Sequence, residues 1–230
     1  LKQDEFEGKS RNVILDMPGE IPETVVFTAH YDSTSLSQGA YDNMSGAICL
    51  LSMAEHFAKP ENKPACSLRF LWCGSEERGL LGAKAYCRDF AQSLAEIGLC
   101  INIDMIGSTM GKFIACCTSE EALVHYIRYM GCEYGFAIDA KADVYSSDST
   151  AFADCGVPAV TFARLAPHAA ATIHDRYDTA ASLNMDRLMA DISFITSFAA
   201  RMANASCLPV ERVIPDDIKE KLDKYLGRKL

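Results

Sequence analysis

Runs of apolar and β-branched residues alternate with amphipathic helical segments along this chain. Thr24–Ala29 and Ser67–Cys73 have the length and composition of buried strands, whereas Ser45–Ala58 repeats its apolar residues with a period near 3.6. Strands that alternate with helices form βαβ units. We therefore predict an α/β fold with a mainly parallel, twisted sheet and helices on both faces. The 230 residues fit one domain that ends in a helical tail at 211–230.

The other predicted elements continue this alternation. The further strands are Arg11–Met17, Leu99–Ile103, Lys112–Cys116 and Val157–Ala163. The further helices are Gly79–Ala95, Ser119–Met130, Ser147–Asp154, Met185–Ala205 and Pro215–Leu226. Ser119 and Asp148 have side chains suited to N-caps, and a supporting role beside the functional site is the alternative for Asp148. The last helix either packs on the domain or joins copies into a homo-oligomer.

Charge and cysteine content narrow the classes of partner. The net charge of -9 argues against nucleic acid or an anionic membrane, because both attract basic surfaces, and leaves divalent cations as partners. The ten cysteines are scattered without a CxxC pair, which predicts free thiols in the core and favours a reducing, cytoplasmic compartment over the alternative of secretion. No apolar run is long enough to span a bilayer, and the first ten residues lack an apolar targeting core.

Metal-capable side chains follow three of the predicted strands, either at once or after a short turn. His30 follows Thr24–Ala29, the pair Glu76-Glu77 comes shortly after Ser67–Cys73, and Asp104 follows Leu99–Ile103. Parallel strands place such residues at one edge of the sheet, where α/β proteins bind their ligands. We therefore expect these side chains to meet. Further residues that could join them are Asp32 and Asp42, from the loop after His30, and His174, from a late loop.

This mixture of imidazole and carboxylate suits zinc and its neighbours in the first transition row. There are too many carboxylates for one ion, which favours two metal ions that share a bridging carboxylate. Asp42 is the predicted bridge. His30, Asp42 and Asp104 would then hold one ion, and Asp42, Glu77 and His174 the other.

Two further carboxylates remain for catalysis. Asp32 lies two residues after His30, so we predict that its carboxylate accepts the second imidazole N–H and orients the ring. Glu76 is the predicted general base, which takes a proton from a metal-activated water and passes it to the leaving group.

Several motifs together resemble those of the M28 metallopeptidases, which include the zinc aminopeptidases of the bacterial leucyl and Streptomyces type. In chain order they read AHYDS, YDNMSG, GSEERGLLGA, INIDMIG, SDSTAF, GVPAV and IHDRYDT, and the resemblance runs from residue 12 to residue 201. The resemblance implies a three-layer zinc-exopeptidase fold, and it implies that the helical segment which precedes the first strand in the family is missing from this sequence. It also implies two zinc ions and peptide substrates with a free N-terminus, with His30, Asp42, Glu77, Asp104 and His174 as ligands and Glu76 as base.

The sequence departs from the family at Ile173, where many members carry a tyrosine that stabilises the oxyanion. Stabilisation of the oxyanion would then fall more heavily on the metal, or on a tyrosine from elsewhere such as Tyr145 or Tyr177. The related M42 family inserts a domain between the first histidine and the bridging aspartate, and the short segment Ser33–Tyr41 excludes that arrangement.

Other functions on the same fold remain open. They are a carboxypeptidase or dipeptidase, a glutaminyl-cyclase-like enzyme, and a receptor-like domain without catalysis. Specificity would depend on loops such as Arg164–Ala171. His56, His125 and His168 are interpreted as ordinary polar residues.

Overall fold

The computed structural model describes residues 8–167 and 171–228, with nothing described for the side chain of Pro22. This part of the chain contains a seven-stranded sheet in the order β1-β3-β2-β4-β7-β5-β6. The strands are β1 (Val13–Met17), β2 (Ile21–His30), β3 (Cys66–Cys73), β4 (Ile97–Ile103), β5 (Lys112–Cys117), β6 (Asp139–Ala142) and β7 (Ala159–Leu165). The four adjacent strands β3, β2, β4 and β7 run parallel, so their carboxyl ends lie at one edge. β1 pairs antiparallel with β3, and β5 antiparallel with β7.

Helices cover both faces of this sheet. They are α1 (Ser45–Phe57), α2 (Leu81–Asp89), α3 (Glu121–Tyr134), α4 (Ser149–Asp154), α5 (Met185–Ala203) and α6 (Asp216–Tyr225). The predicted three-layer α/β fold with a mainly parallel sheet is confirmed.

Alternating residues of the central strand β2 supply the two cores. Val25 and Phe27 pack with α1, α3 and α5, and the neighbouring Val26 packs with α2 and α4 on the opposite face. All three side chains are fully buried, as the uninterrupted apolar sequence of the strand predicts. The site-bearing strand is thus held rigidly from both sides.

Three details differ from the sequence prediction. The helix expected at Gly79–Ala95 is confined to α2. It begins at Leu81, because Gly79 and Leu80 have left-handed φ values of 99° and 61° that a right-handed helix cannot contain, and it ends at Asp89. The strand β6 was not predicted, since its sequence DAKA has no β-branched residue. Ser119 does not cap α3: the cap position is Glu120, and no side chain bonds there.

The cysteines are free thiols, as predicted, and seven of the ten are buried. Burial raises the pKa of Cys66 to about 11, so this thiol stays protonated and unreactive near neutral pH. The predicted compartment stays a prediction. Within the described ranges, none of the helices has the length and apolar character needed to cross a bilayer.

Candidate metal centre and active site

Three neighbouring parallel strands deliver the first candidate residues to the same sheet edge. His30 is the last residue of β2, Asp104 follows the end of β4, and Glu76 follows β3 after Gly74 and Ser75. The strands pair in register, so that His30 lies opposite Cys73 at the end of β3. The convergence expected from the sequence is therefore present.

The chain turns sharply at three points beside these residues. Ser75, Met105 and His174 have φ values of 60°, 60° and 63°, in the left-handed region that non-glycine residues seldom adopt. Ser75 precedes Glu76, and Met105 follows Asp104. Such local strain persists only where the surrounding structure stabilises it, and it is frequent at functional sites.

Two groups of side chains could each hold an ion, and they share Asp42. Asp42 Oδ1 lies 3.2 Å from His30 Nε2, which is also 3.6 Å from Asp104 Oδ1. The other oxygen of Asp42, Oδ2, lies 3.1 Å from His174 Nε2, which is 3.0 Å from Glu77 Oε2. One carboxylate thus faces both groups, which is the arrangement required of a bridging ligand.

The donor atoms fit divalent cations. Within each group, the candidate ligand atoms all lie within 4.8 Å of one another. Asp104 Oδ1 and Glu77 Oε1 are buried without a hydrogen-bond partner among the described residues, a costly state that a bound cation would relieve. Imidazole nitrogens and carboxylate oxygens are the donors that zinc accepts in catalytic sites.

The electrostatics show how strongly these groups affect one another. Burial lowers the pKa of His30, but the carboxylates of Asp104 and Asp42 beside its ring outweigh that effect and hold this pKa well above its usual value. Burial raises the pKa of Glu76 to about 9, although the charge of His30 opposes the rise. The pKa of Glu77 is raised as well, by burial and then by Asp42. Without a metal, this cluster therefore retains protons.

Asp32 has a different contact from the one predicted. His30 Nδ1 lies 3.0 Å from the backbone carbonyl of Asp32 and 3.8 Å from its carboxylate, so the carbonyl is the hydrogen-bond partner of the imidazole. The carboxylate instead accepts the backbone N–H groups of Glu76 and Glu77, at 2.9 and 3.3 Å. The prediction for the Asp32 carboxylate is therefore wrong, because the turn after β3 brings two unpaired N–H donors to it.

Asp148 does not have the capping role predicted for it. It precedes α4, but its side chain makes no capping bond. The carboxylate is fully buried, and neither oxygen has a hydrogen-bond partner among the described residues. Burial raises its pKa to about 7, and the nearby charge of His30 lowers it in part.

Two positioning residues were missed from the sequence. Asp178 is fully buried, and its carboxylate accepts the N–H groups of Tyr41 and Asp42 at 2.7 and 3.0 Å. Asn43 donates to the carbonyl of Ile103 and accepts from Met105 N. The sequence signal for Asp178 was its place in the same motif as His174. For Asn43 it was the adjoining Asp42.

Gly46 explains part of the sequence around Asn43. A Cβ atom at Gly46 would collide with the Asn43 side chain and the Ile103 carbonyl, so only glycine allows α1 to approach this closely. The start of α1 is thereby fixed against β4, beside Asp42. The Asp42–Asn43 peptide bond is cis.

A cavity of about 470 Å³ opens over both groups. Besides the candidate ligands and Glu76, its described lining includes Gly79, Leu80, Met105, Tyr145, Ser146, Ile173 and Tyr225. Of the two tyrosines suggested by the sequence, Tyr145 lines this cavity. Tyr177 is 63% exposed, and its hydroxyl accepts a bond from Arg176. His125 is exposed and pairs with Glu121, whereas His168 lies outside the described residues.

Comparison with known proteins identifies the family. A family model described as peptidase family M28 matches residues 12–197. The chain belongs to peptidase family M28. The predicted resemblance is therefore confirmed, and the match spans every candidate ligand of this M28 domain.

Individual relatives share the domain but are longer. Leupeptin-inactivating enzyme 1 of Streptomyces exfoliatus is 35% identical over 152 residues, which cover 64% of this chain and 34% of that protein. Leucine aminopeptidase 1 of Trichophyton rubrum is 26% identical over 219 residues, 84% of this chain and 58% of that one. A zinc aminopeptidase structure from Bacillus subtilis superposes with a TM-score of 0.75 at 24% identity, covering 90% of this chain and 53% of the other, which shows a common fold. The M28 domain thus spans between a third and three fifths of these proteins.

Proposed function

We propose that this M28 domain is an aminopeptidase that removes N-terminal residues from peptides with two zinc ions, and that Glu76 is its general base. The observation that carries the proposal is the position of Asp42, whose two oxygens lie against different histidines. His30, Asp42 and Asp104 would hold one ion, and Asp42, Glu77 and His174 the other. Zinc in such a site polarises a peptide carbonyl and lowers the pKa of water toward ~7. The relatives named as aminopeptidases support an N-terminal site of cleavage.

Glu76 suits the role of proton carrier. It lines the cavity but belongs to neither candidate ligand group. Its side chain is 12% exposed, and Oε2 lies 4.0 Å from His30 Nε2. Burial raises its proton affinity, as the raised pKa shows, and cations bound nearby would lower it toward the range in which a base both takes and releases a proton. Glu76 would take a proton from water and give it to the departing amine.

Tyr145 suits the role of oxyanion donor in place of the residue at Ile173. Burial, and then the charges of Asp104 and nearby Tyr41, raise the pKa of Tyr145 far above its usual value. The phenol therefore keeps its proton and can donate to the carbonyl oxygen as negative charge develops on it. Its ring packs against Ile114, Cys116 and Ala163, which holds the hydroxyl in place.

The substitution Glu76→Gln tests the base directly, because it keeps the size of the side chain and removes the proton acceptor. We expect kcat for aminoacyl-4-nitroanilides to fall by about 10²–10⁴-fold with unchanged zinc content. Glu121→Gln, at a 64% exposed position on α3, is the matched control and should leave kcat unchanged. Turnover of Glu76→Gln at near the wild-type rate would overturn the assignment.

Two further measurements separate this proposal from the alternatives. Elemental analysis should find about two zinc ions per chain; a single ion, together with release of ammonia from peptides that begin with glutamine, would favour a glutaminyl cyclase. Peptides with free and with blocked N-termini distinguish an aminopeptidase from a carboxypeptidase. Binding of peptides without hydrolysis of any of them, in the zinc-loaded protein, would indicate a receptor-like domain.

A further inference from the structure

The C-terminal helix α6 lies outside the family match yet reaches the cavity. The match to M28 ends at residue 197, whereas α6 covers Asp216–Tyr225. Its last residue, Tyr225, lines the same cavity as His30, Glu76 and His174. This chain therefore adds to the wall of its candidate site a residue that the matched part of the family does not supply.

Both apolar and charged contacts hold α6 against α4. Ile218 and Leu222 are buried and pack against Ala153. Just beyond the helix, the guanidinium of Arg228 donates two hydrogen bonds to the carboxylate of Asp154, at 2.5 and 2.7 Å. A helix held by both kinds of contact can present its last residue in one fixed position.

Tyr225 is itself held at the cavity. Its hydroxyl lies 2.6 Å from Ser146 Oγ, and Ser146 adjoins Tyr145. The hydrogen bond occupies the hydroxyl, so the ring contributes mainly aromatic surface to the wall. Tyr225 is 42% exposed, which leaves surface available to a bound molecule. Leu80, Met105 and Ile173 add apolar surface to the same cavity.

We propose that Tyr225 is a specificity-determining residue, whose ring contacts a large apolar side chain of the bound substrate. This inference rests on the proposed peptidase function. The cavity volume of about 470 Å³ is within the range of sites that bind small ligands, ~300–1,000 Å³. Aromatic rings supply a large contact area with few rotatable bonds, so they discriminate efficiently between large and small apolar groups.

The test compares kcat/KM for alanyl, leucyl and phenylalanyl 4-nitroanilides in the wild-type chain and in Tyr225→Ala. We expect the ratio of leucyl or phenylalanyl to alanyl cleavage to fall by about tenfold, mainly through KM, since a contact of this kind discriminates by about 10–200-fold. Tyr225→Phe keeps the ring and should retain most of the preference. Tyr129→Ala, at a 65% exposed tyrosine on α3, is the matched control and should leave the ratio unchanged.

The outcomes distinguish this inference from the proposed function. If the wild-type chain cleaves none of the anilides or peptides, the peptidase function fails and the inference fails with it. If the wild type is active and Tyr225→Ala keeps the same substrate ratio, only the inference is overturned. An equal loss on all three substrates also overturns it, because that result indicates a purely structural role for the tyrosine.

Discussion

The ion pair of Arg164 and Asp191 joins the end of β7 to α5 inside the protein. Asp191 is fully buried and Arg164 is 9% exposed. The guanidinium donates to both oxygens of the carboxylate, at 2.8 and 2.5 Å, and Gly107 N donates to one of them at 3.0 Å. Gly107 belongs to the loop that follows Asp104. The pair therefore connects α5 to the segment that carries a candidate ligand.

Substitution of Asp191 by alanine would leave a buried guanidinium without its counterion. Removal of one partner from a buried ion pair lowers the free energy of unfolding by about 3–5 kcal/mol, because the remaining charge is buried away from water without an opposite charge beside it. For a chain of this size, each kcal/mol lowers Tm by about 2–4 °C. We therefore expect Asp191→Ala to lower Tm by about 6–20 °C.

Thermal unfolding followed by circular dichroism measures the shift in Tm. Urea unfolding measures the loss of unfolding free energy, with the slope m as a check that the unfolded state is unchanged. The control is Asp139→Ala, which breaks an exposed ion pair in which Lys112 Nζ lies 2.5 Å from Asp139 Oδ2. Loss of this exposed pair should lower the free energy of unfolding by at most about 1 kcal/mol. The double variant Arg164→Met with Asp191→Leu should recover much of the lost stability, since it removes both charges. A cost for Asp191→Ala no larger than that of the control would refute the reasoning.

Two further predictions concern the site itself. In the metal-free protein, prepared with a chelator, Tm should fall between about pH 6 and about pH 8.5, and less so in Glu76→Gln. His30 and Glu76 have raised pKa values in the folded state, about 9 for Glu76, so folding takes up protons that the unfolded chain has released. The stability that these protons contribute is lost as the pH rises. A Tm that is constant or rises over this range would contradict the prediction. Tyr145→Phe should lower kcat for aminoacyl anilides by about 10²–10³-fold with little change in KM, whereas an unchanged kcat would show that another group stabilises the oxyanion.

Much of the site was predictable because strand order and chain direction place residues without any knowledge of side-chain packing. His30, Glu76 and Asp104 each follow an apolar run, and parallel strands bring the ends of such runs to one edge. The contact of the Asp32 carboxylate and the absence of a capping bond at Asp148 were not predicted. Their hydrogen-bond partners, or the lack of them, depend on local turns at residues such as Ser75, whose left-handed φ is not visible in its sequence.

The sequence by itself determined the α/β fold, the family and the set of metal-capable residues, because apolar periodicity and motif order are local properties of the chain. The tertiary structure alone decided that the two oxygens of Asp42 face different histidines, that Asp178 holds the backbone of Asp42, and that Tyr225 joins the cavity wall. His174 and Asp178 lie more than a hundred positions after Asp42 in the chain, as Tyr225 does after Glu76, and these residues come together only through the way whole elements dock. No local pattern encodes the distance between a helix near the C-terminus and the end of a strand near the N-terminus.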